Sequence, residues 1–143
     1  MGPTVVQTDD ARWDAMFTIN VLTLRRVLAA AVPMLVARGK GSIVNVGAYG
    51  ALRGMGNMGA YTAAKSTVMR LTEAMSDELK NQGINVNAVL PSIIDTPRNR
   101  ADMPNSDYST WVSPEDLAAA VCFLSSDGAS AIHGALVPVT GLV

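Results

Sequence analysis

Gly83-Ile84-Asn85-Val86-Asn87-Ala88-Val89-Leu90-Pro91 is a short apolar run closed by a proline, and it decides the class of fold. A strand buried on both faces reads as a near-continuous apolar run, whereas a half-exposed strand alternates. Proline cannot donate to a ladder, so Pro91 stops the strand and its body is Asn85 to Leu90. Gly41-Ser42-Ile43-Val44-Asn45-Val46-Gly47-Ala48 is a second run of the same kind, giving a strand from Ser42 to Ala48. Between the two runs lies a helix from about Ala60 to Gln82. Its stripe of Ala64, Val68, Leu71, Met75 and Leu79 is a packing face, and Gly83 is its C-cap.

The same reading extends in both directions. Upstream, Asp9 or Asp10 caps a helix to about Ala37, with Trp13, Phe17, Asn20, Leu24, Val27 and Ala31 at helical spacing and Pro33 expected to kink or shorten it. Downstream, the stretch from Pro91 to Trp111 carries Pro97 and Pro104 and no apolar period, so it reads as a long loop, a feature usually functional or mobile. Ser113-Pro114-Glu115 starts a third helix, with Ser as N-cap and Pro at the first helical position, ending near Ser125 or Ser126. Ala135 to Thr140 is the last strand. Alternating strands and helices imply an α/β domain with a parallel sheet and right-handed crossovers. Three strands and about three helices are few for such a sheet, and its first strand has an unpaired edge.

Bulk properties bound the function classes. The 143 residues form one domain by length. Hydrophobic residues make up 49% and charged residues 16%, an apolar balance that argues for surface hidden by self-association as a homodimer or homotetramer. A net charge of -1 without a basic run gives no footprint for nucleic acid. No apolar run approaches the ~18 residues of a membrane span, and Met1-Gly2-Pro3 opens no signal peptide. No membrane association, no metal site and a cytoplasmic location are therefore the expectations. The single cysteine, Cys122, excludes an internal disulfide and reads as buried packing, while the lone His133 reads as a structural or surface residue.

Chemistry enters with Tyr61-Thr62-Ala63-Ala64-Lys65. Residues four apart share a helix face, so a phenol and an ammonium stand one turn from each other. A lysine held there favours the phenolate and draws the tyrosine pKa down from its usual ~10. Such a tyrosine can exchange a proton with a substrate oxygen near neutral pH. Asn20, an amide among apolar helix residues, is a costly placement without a partner. Gly54-Met55-Gly56-Asn57-Met58-Gly59 satisfies a dinucleotide fingerprint in letters only. The preceding strand ends near Ala48, whereas a true glycine turn follows its strand at once, so the stretch reads as a Gly/Met loop.

Helix with Asn20, strand, Tyr61-to-Lys65 helix, and strand ending in Pro91: this order resembles the short-chain dehydrogenase/reductase family from about Thr8 to Val143. The resemblance implies a partial Rossmann-like domain over residues 1–143, the family's second half, lacking the N-terminal glycine-rich half that cradles the dinucleotide. It implies that Tyr61 donates the proton, that Lys65 binds the nicotinamide ribose, and that Asn20 anchors a water leading to Lys65. Pro91, Ser92, Ile93 and Thr96 would line the cofactor, with Ser92 where the family has glycine. It also implies NAD(P)H as cofactor, bound weakly or not at all by these residues alone, and helices one and two as the oligomer interface. The segment from Val89 to Trp111 resembles dihydropteridine reductases. Thirteen residues before Tyr61, where most of the family carries a catalytic serine, stands Ala48; dihydropteridine reductases lack that serine too. Reduction of a carbonyl or pterin-like substrate is one reading. The alternative is a non-redox remnant, either an oligomeric scaffold or a hydrolase reusing the Tyr–Lys pair.

Overall fold

The computed structural model describes residues 2–143. Asp9 caps the first helix, α1 (Asp10–Phe17), its carboxylate accepting the Arg12 amide at 2.8 Å. A π turn over Thr18–Leu22 carries α1 without a break into α2 (Thr23–Arg38), which closes on left-handed Gly39. Strand β1 (Gly41–Val46) follows, then α3 (Gly59–Leu79) and β2 (Ile84–Pro91). A short α4 (Pro97–Asp102), then α5 (Pro114–Leu124) and β3 (Leu136–Val139) complete the chain. Gly83, between α3 and β2, has φ 74°. A Cβ there would also lie 2.3 Å from the Gly39 carbonyl oxygen, so only glycine fits.

The sheet has three parallel strands in the order β1-β2-β3, as the alternation of elements predicts. Every residue of the central strand is buried, which is why it reads as an unbroken apolar run. Ile84 and Val86 pack with Leu28, Ile43 and Leu79 on the side of α2 and α3. Val89, on the other face, packs with Leu124, Leu117 and Val121 of α5. Asn85 and Asn87 share that second face and are satisfied there. Asn85 Nδ2 donates to the Ala129 carbonyl at 2.7 Å, and Asn87 Nδ2 to the Ile132 carbonyl at 2.7 Å.

Several sequence expectations are corrected. Strand β1 ends at Val46, two residues before Ala48. Gly47 still donates to the Val89 carbonyl, but the chain then tightens into a 3₁₀ turn over Tyr49–Ala51. Pro33 neither ends nor shortens its helix, which runs on to Arg38. Beyond the π turn the residues that meet the core are Leu24, Leu28, Val32 and Leu35; Leu24 and Ala31 of the expected stripe are half-buried, while Val27 is exposed. The i→i+5 bonds of the π turn take in one residue more than an α turn. The loop from Pro91 to Trp111 holds α4 and a 3₁₀ turn (Tyr108–Thr110), because Thr96-Pro97 is itself an N-cap followed by a proline. Cys122 is exposed: Leu117, Val121 and Leu124 form the inner face of α5 and leave Cys122 and Phe123 outward.

No uninterrupted apolar run reaches membrane-span length, yet the continuous helix Asp10–Arg38 is long and apolar enough to cross a bilayer by length and composition. Almost none of its apolar window is buried within the single chain. Leu28, packed on Ile43 and Leu79, anchors the helix to the sheet from one side only.

Candidate active site

Tyr61 and Lys65 stand on the first two turns of α3, both half-buried. Lys65 Nζ donates to the carbonyl of Val46, the last residue of β1, at 3.0 Å. Ser66 Oγ donates to the Ala51 carbonyl at 2.8 Å, fastening the same turn of helix to the 3₁₀ turn after β1. The Tyr61 ring lies against the buried cluster of Ala48, Ala51, Met69, Ala88 and Leu90. The two side chains therefore occupy the C-terminal edge of the sheet, where ligands of open α/β sheets bind.

The electrostatics differ from the sequence expectation. Burial pushes the Tyr61 phenol above its ordinary value, and burial pushes the Lys65 ammonium below its own. Lys65 does not draw the tyrosine down in this arrangement, because its charge is directed to the Val46 carbonyl and no hydrogen bond joins it to Tyr61. The shared helix face is real, but the pair is not closed.

Asn20 lies inside the π turn, half-buried, with Nδ2 donating to the Met16 carbonyl at 2.9 Å. The π turn packs against α3, which brings Asn20's stretch of helix to the helix of Tyr61 and Lys65 without a direct hydrogen bond between them. π turns recur at functional sites. Ala48 is buried and offers only a methyl group where a hydroxyl would stand.

The expected cofactor-side residues form a shelf at the end of β2, with Pro91 buried and Ser92, Ile93 and Thr96 half-buried. Pro91 closes the strand. Ser92 N donates to the Val139 carbonyl at 3.1 Å and Ser92 Oγ to the Thr140 carbonyl at 2.8 Å, so its side chain is turned toward the end of β3. Ile93 accepts from the Val112 amide, and Thr96 Oγ1 accepts from the Asn99 amide at 3.2 Å while keeping its own proton to donate. Because β1 and β2 run parallel with Val46 opposite Val89, this shelf and the Lys65 anchor lie at the same end of the sheet. Beside them, a cleft of about 240 Å³ opens between the N-terminal segment and α3, lined by Thr8, Arg12, Met16, Asn57, Met58 and Tyr61 among others.

The Gly54-to-Gly59 stretch lies well past the end of β1 and makes a turn with Asn57 at φ 62°, which is no strand-to-helix phosphate turn. His133 is exposed in the approach to β3. Among the described residues no group of three His, Cys, Asp or Glu could hold a metal ion. Two features escaped the sequence reading. The Val46 carbonyl as the lysine's partner has no sequence signal. The Asn85–Asn87 pair does have one: two asparagines two residues apart in a buried strand must share a face and a set of partners.

The family profile described as enoyl-(acyl carrier protein) reductase matches residues 1–141. The chain is 34% identical to 2-(S)-hydroxypropyl-CoM dehydrogenase 3 of Xanthobacter autotrophicus, over 96% of its own length and 60% of that enzyme's. It is 36% identical to the (3R)-3-hydroxyacyl-CoA dehydrogenase of Canis lupus familiaris, over 90% and 53% respectively. Among solved structures, carveol dehydrogenase from Mycobacterium avium in complex with NAD superposes with a TM-score of 0.88 at 29% identity, covering 99% of this chain and 60% of that one. The 3-ketoacyl-(acyl-carrier-protein) reductase from Brucella melitensis complexed with NADH does so with a TM-score of 0.86 at 28% identity, covering 98% and 61%. The chain thus spans about 60% of the length of most relatives it matches. By profile, by sequence and by fold, this chain belongs to the short-chain dehydrogenase/reductase family, in the group described as enoyl-(acyl carrier protein) reductase.

Proposed function

We propose that this chain carries the proton-transfer site of an NAD(P)H-dependent reductase of a carbonyl or pterin-like substrate, with Tyr61 and Lys65 as its working pair. The observation that carries this reading is their placement: one turn apart on α3, at the C-terminal edge of the sheet, with Lys65 anchored on the end of β1. The shelf of Pro91, Ser92, Ile93 and Thr96 at the same edge fits a nicotinamide nucleotide. Ser92, Ile93 and Thr96 are half-buried, Ser92 is turned aside toward Thr140, and the Thr96 hydroxyl keeps a donor free. Bound there, the dinucleotide would supply hydride to the electrophilic atom of the substrate, a carbonyl carbon or a ring nitrogen of a quinonoid pterin.

The chain's own residues manage the proton. Tyr61, kept protonated by burial, gives its phenolic proton to the substrate oxygen as that oxygen gains charge. Lys65, swung from the Val46 carbonyl toward the ribose hydroxyls, places its positive charge beside the phenolate left behind. Asn20, on the π turn packed against α3, anchors the water that returns a proton along Lys65. Ala48 leaves the substrate oxygen without a second hydroxyl donor, so a substrate that needs only one proton donor suits this site. That demand, together with the segment from Val89 to Trp111, favours the dihydropteridine-reductase branch and a pterin-like substrate.

These residues contain no glycine-rich turn directly after a strand, the feature that holds a pyrophosphate on a helix N-terminus. The 143-residue polypeptide by itself is therefore expected to bind NADH and NADPH weakly. Titration calorimetry with each nucleotide, followed by spectrophotometric turnover of quinonoid dihydropterin and of a 3-oxoacyl thioester, tests the reading. Any turnover must fall about 100-fold or more in Tyr61→Phe; turnover kept near the unsubstituted rate refutes the assignment. Low-micromolar nucleotide binding would refute the weak-binding clause alone.

Self-association fits the same picture. A groove of about 290 Å³ between α2 and α3 is lined by Leu28, Ala29, Val32, Leu71 and Met75 and rimmed by Arg25 and Glu78. Val27 and Met34 stand exposed on the same long helix. A second copy of the α2–α3 face would cover this surface in a homodimer or homotetramer.

A further inference from the structure

Between Asp95 and Trp111 the chain leaves the sheet and returns, and α4 sits in that excursion without extended packing against any other helix or strand. The base of the excursion is closed. Ile94 and Val112 form a single parallel bridge, the Asp95 amide donates to the Val112 carbonyl at 2.8 Å, and the Val112 amide donates to Ile93 at 2.9 Å. Beyond that base, polar contacts hold α4 in place. Arg100 Nε and Nη2 donate to the two carboxylate oxygens of Asp95 at 2.5 and 2.7 Å, a fork-on-fork pair. The guanidinium carbon lies 4.7 Å from the centroid of the Tyr108 ring, and Tyr108 Oη donates to the Arg100 carbonyl at 3.3 Å. Tyr108 in turn meets Trp111 at 4.8 Å between ring centroids, and Trp111 is buried. One side chain thus ties the hinge residue, the helix and the far 3₁₀ turn together.

We propose that Arg100 is the pin of a lid, in which residues 96–111 are held as one unit at the C-terminal edge of the sheet by Asp95 on the hinge side and Tyr108 on the far side. Releasing the pin loosens α4, which keeps the Asn99 Nδ2 bond to the Ile94 carbonyl at 2.7 Å, and leaves the sheet intact. An isolated exposed ion pair would hold nothing, but a bidentate pair that also stacks on an aromatic ring is the arrangement in which such a pair counts. Arginine is required, because lysine is a point charge that cannot make two parallel bonds to Asp95 while facing Tyr108. The lid's position decides whether Thr96 stands where the proposed nucleotide shelf needs it. The inference concerns the lid itself and reaches beyond that reading.

Hydrogen exchange resolved by residue, with limited trypsin cleavage after Arg98, tests the pin on the free chain without cofactor or turnover. In Arg100→Gln and in Asp95→Asn, the amides of Arg100 and Met103, bonded to Thr96 and Asn99, should exchange about tenfold faster or more, as local opening does. Cleavage after Arg98 should accelerate in step, while the amide of Ala88, bonded to Ala135 inside the sheet, keeps its rate. Arg100→Lys should recover less than half of the protection. Unchanged lid exchange, full recovery by lysine, or lid opening only together with the Ala88 amide would each overturn the proposal. None of these readouts depends on Tyr61, so failure of the catalytic reading would leave the result standing, and the reverse.

Discussion

Replacing Asn87 by alanine removes three hydrogen bonds from the middle of the sheet. Its Nδ2 donates to the Ile132 carbonyl at 2.7 Å and to Asn85 Oδ1 at 3.0 Å, and its Oδ1 accepts from the Ala135 amide at 2.8 Å. The side chain is fully buried, so no solvent takes over those bonds at Asn87 itself. Each lost bond costs about 1 kcal/mol net, and a deserted buried partner costs about 1–3 kcal/mol more. Ile132 and Ala135 are only half-buried and recover part of their hydration, which places the sum near the low end, about 3 kcal/mol. Against a typical total of about 5–15 kcal/mol, that is a large fraction. The effect has a location as well as a size. Gly134 donates to Val86 and Ala88 to Ala135, so Asn87 is the middle fastener of the approach to β3. Urea unfolding followed by tryptophan emission reads it directly. With an m-value of about 2 kcal/mol/M, the midpoint should fall by about 1.5 M. Asn87→Asp should fall as well, since it keeps the acceptor for Ala135 but loses both donors. A midpoint lower by less than about 0.5 M at unchanged slope would show that the bonds are replaceable and the reasoning wrong.

For any activity that the chain supports, Tyr61→Phe and Lys65→Met should each cost about 100-fold or more, the scale of lost acid–base catalysis, while exposed His133→Ala should leave the rate alone; the opposite pattern would refute the site. Sedimentation at micromolar concentration should give a dimer or larger, since the α2–α3 groove and the exposed apolar side chains of α2 need a cover; a monomer counts decisively against it. The Arg100 guanidinium holds the Asp95 carboxyl below its usual range, so this contact is fully present above the ordinary carboxylate pKa of ~3.9 and is lost only as the pH falls through the lower folded value. Protection of the lid amides, taken relative to their intrinsic exchange rates at each pH, should accordingly hold at pH 5 and fall only under more acid conditions; a loss of protection centred near neutrality would contradict the pairing.

What the residues disclose in advance follows from how local each cause is. The parallel sheet, the Gly83 cap and the inner stripe of α3 were readable because burial on two faces, a left-handed glycine and helical periodicity each write a pattern into adjacent letters. Tyr61 and Lys65 were readable for the same reason. Their surroundings were not. The partner of Lys65 is a backbone carbonyl nineteen positions away, which any residue would supply at Val46. The lid was hidden because Arg100 draws its partners from Asp95 and Tyr108 on either side of a stretch without apolar period.

The π turn is the most consequential of the hidden features. It is the segment that carries Asn20 against α3. Deleting Ile19, whose side chain is 67% exposed, removes the additional residue at little loss of burial and lets i→i+4 bonding run through. The wide turn absorbs the additional residue, so removing it leaves α1 and α2 close to their present orientation. Trp13, stacked with Phe17 at 6.3 Å, should stay where it is, with α1 still in contact with α3. In a Trp111→Phe background, Trp13 emission should therefore hold its wavelength and far-ultraviolet helicity should be kept. A shift to the red would mean that the deletion turns α1 by about 100° about the helix axis, and that the π turn does not absorb the additional residue.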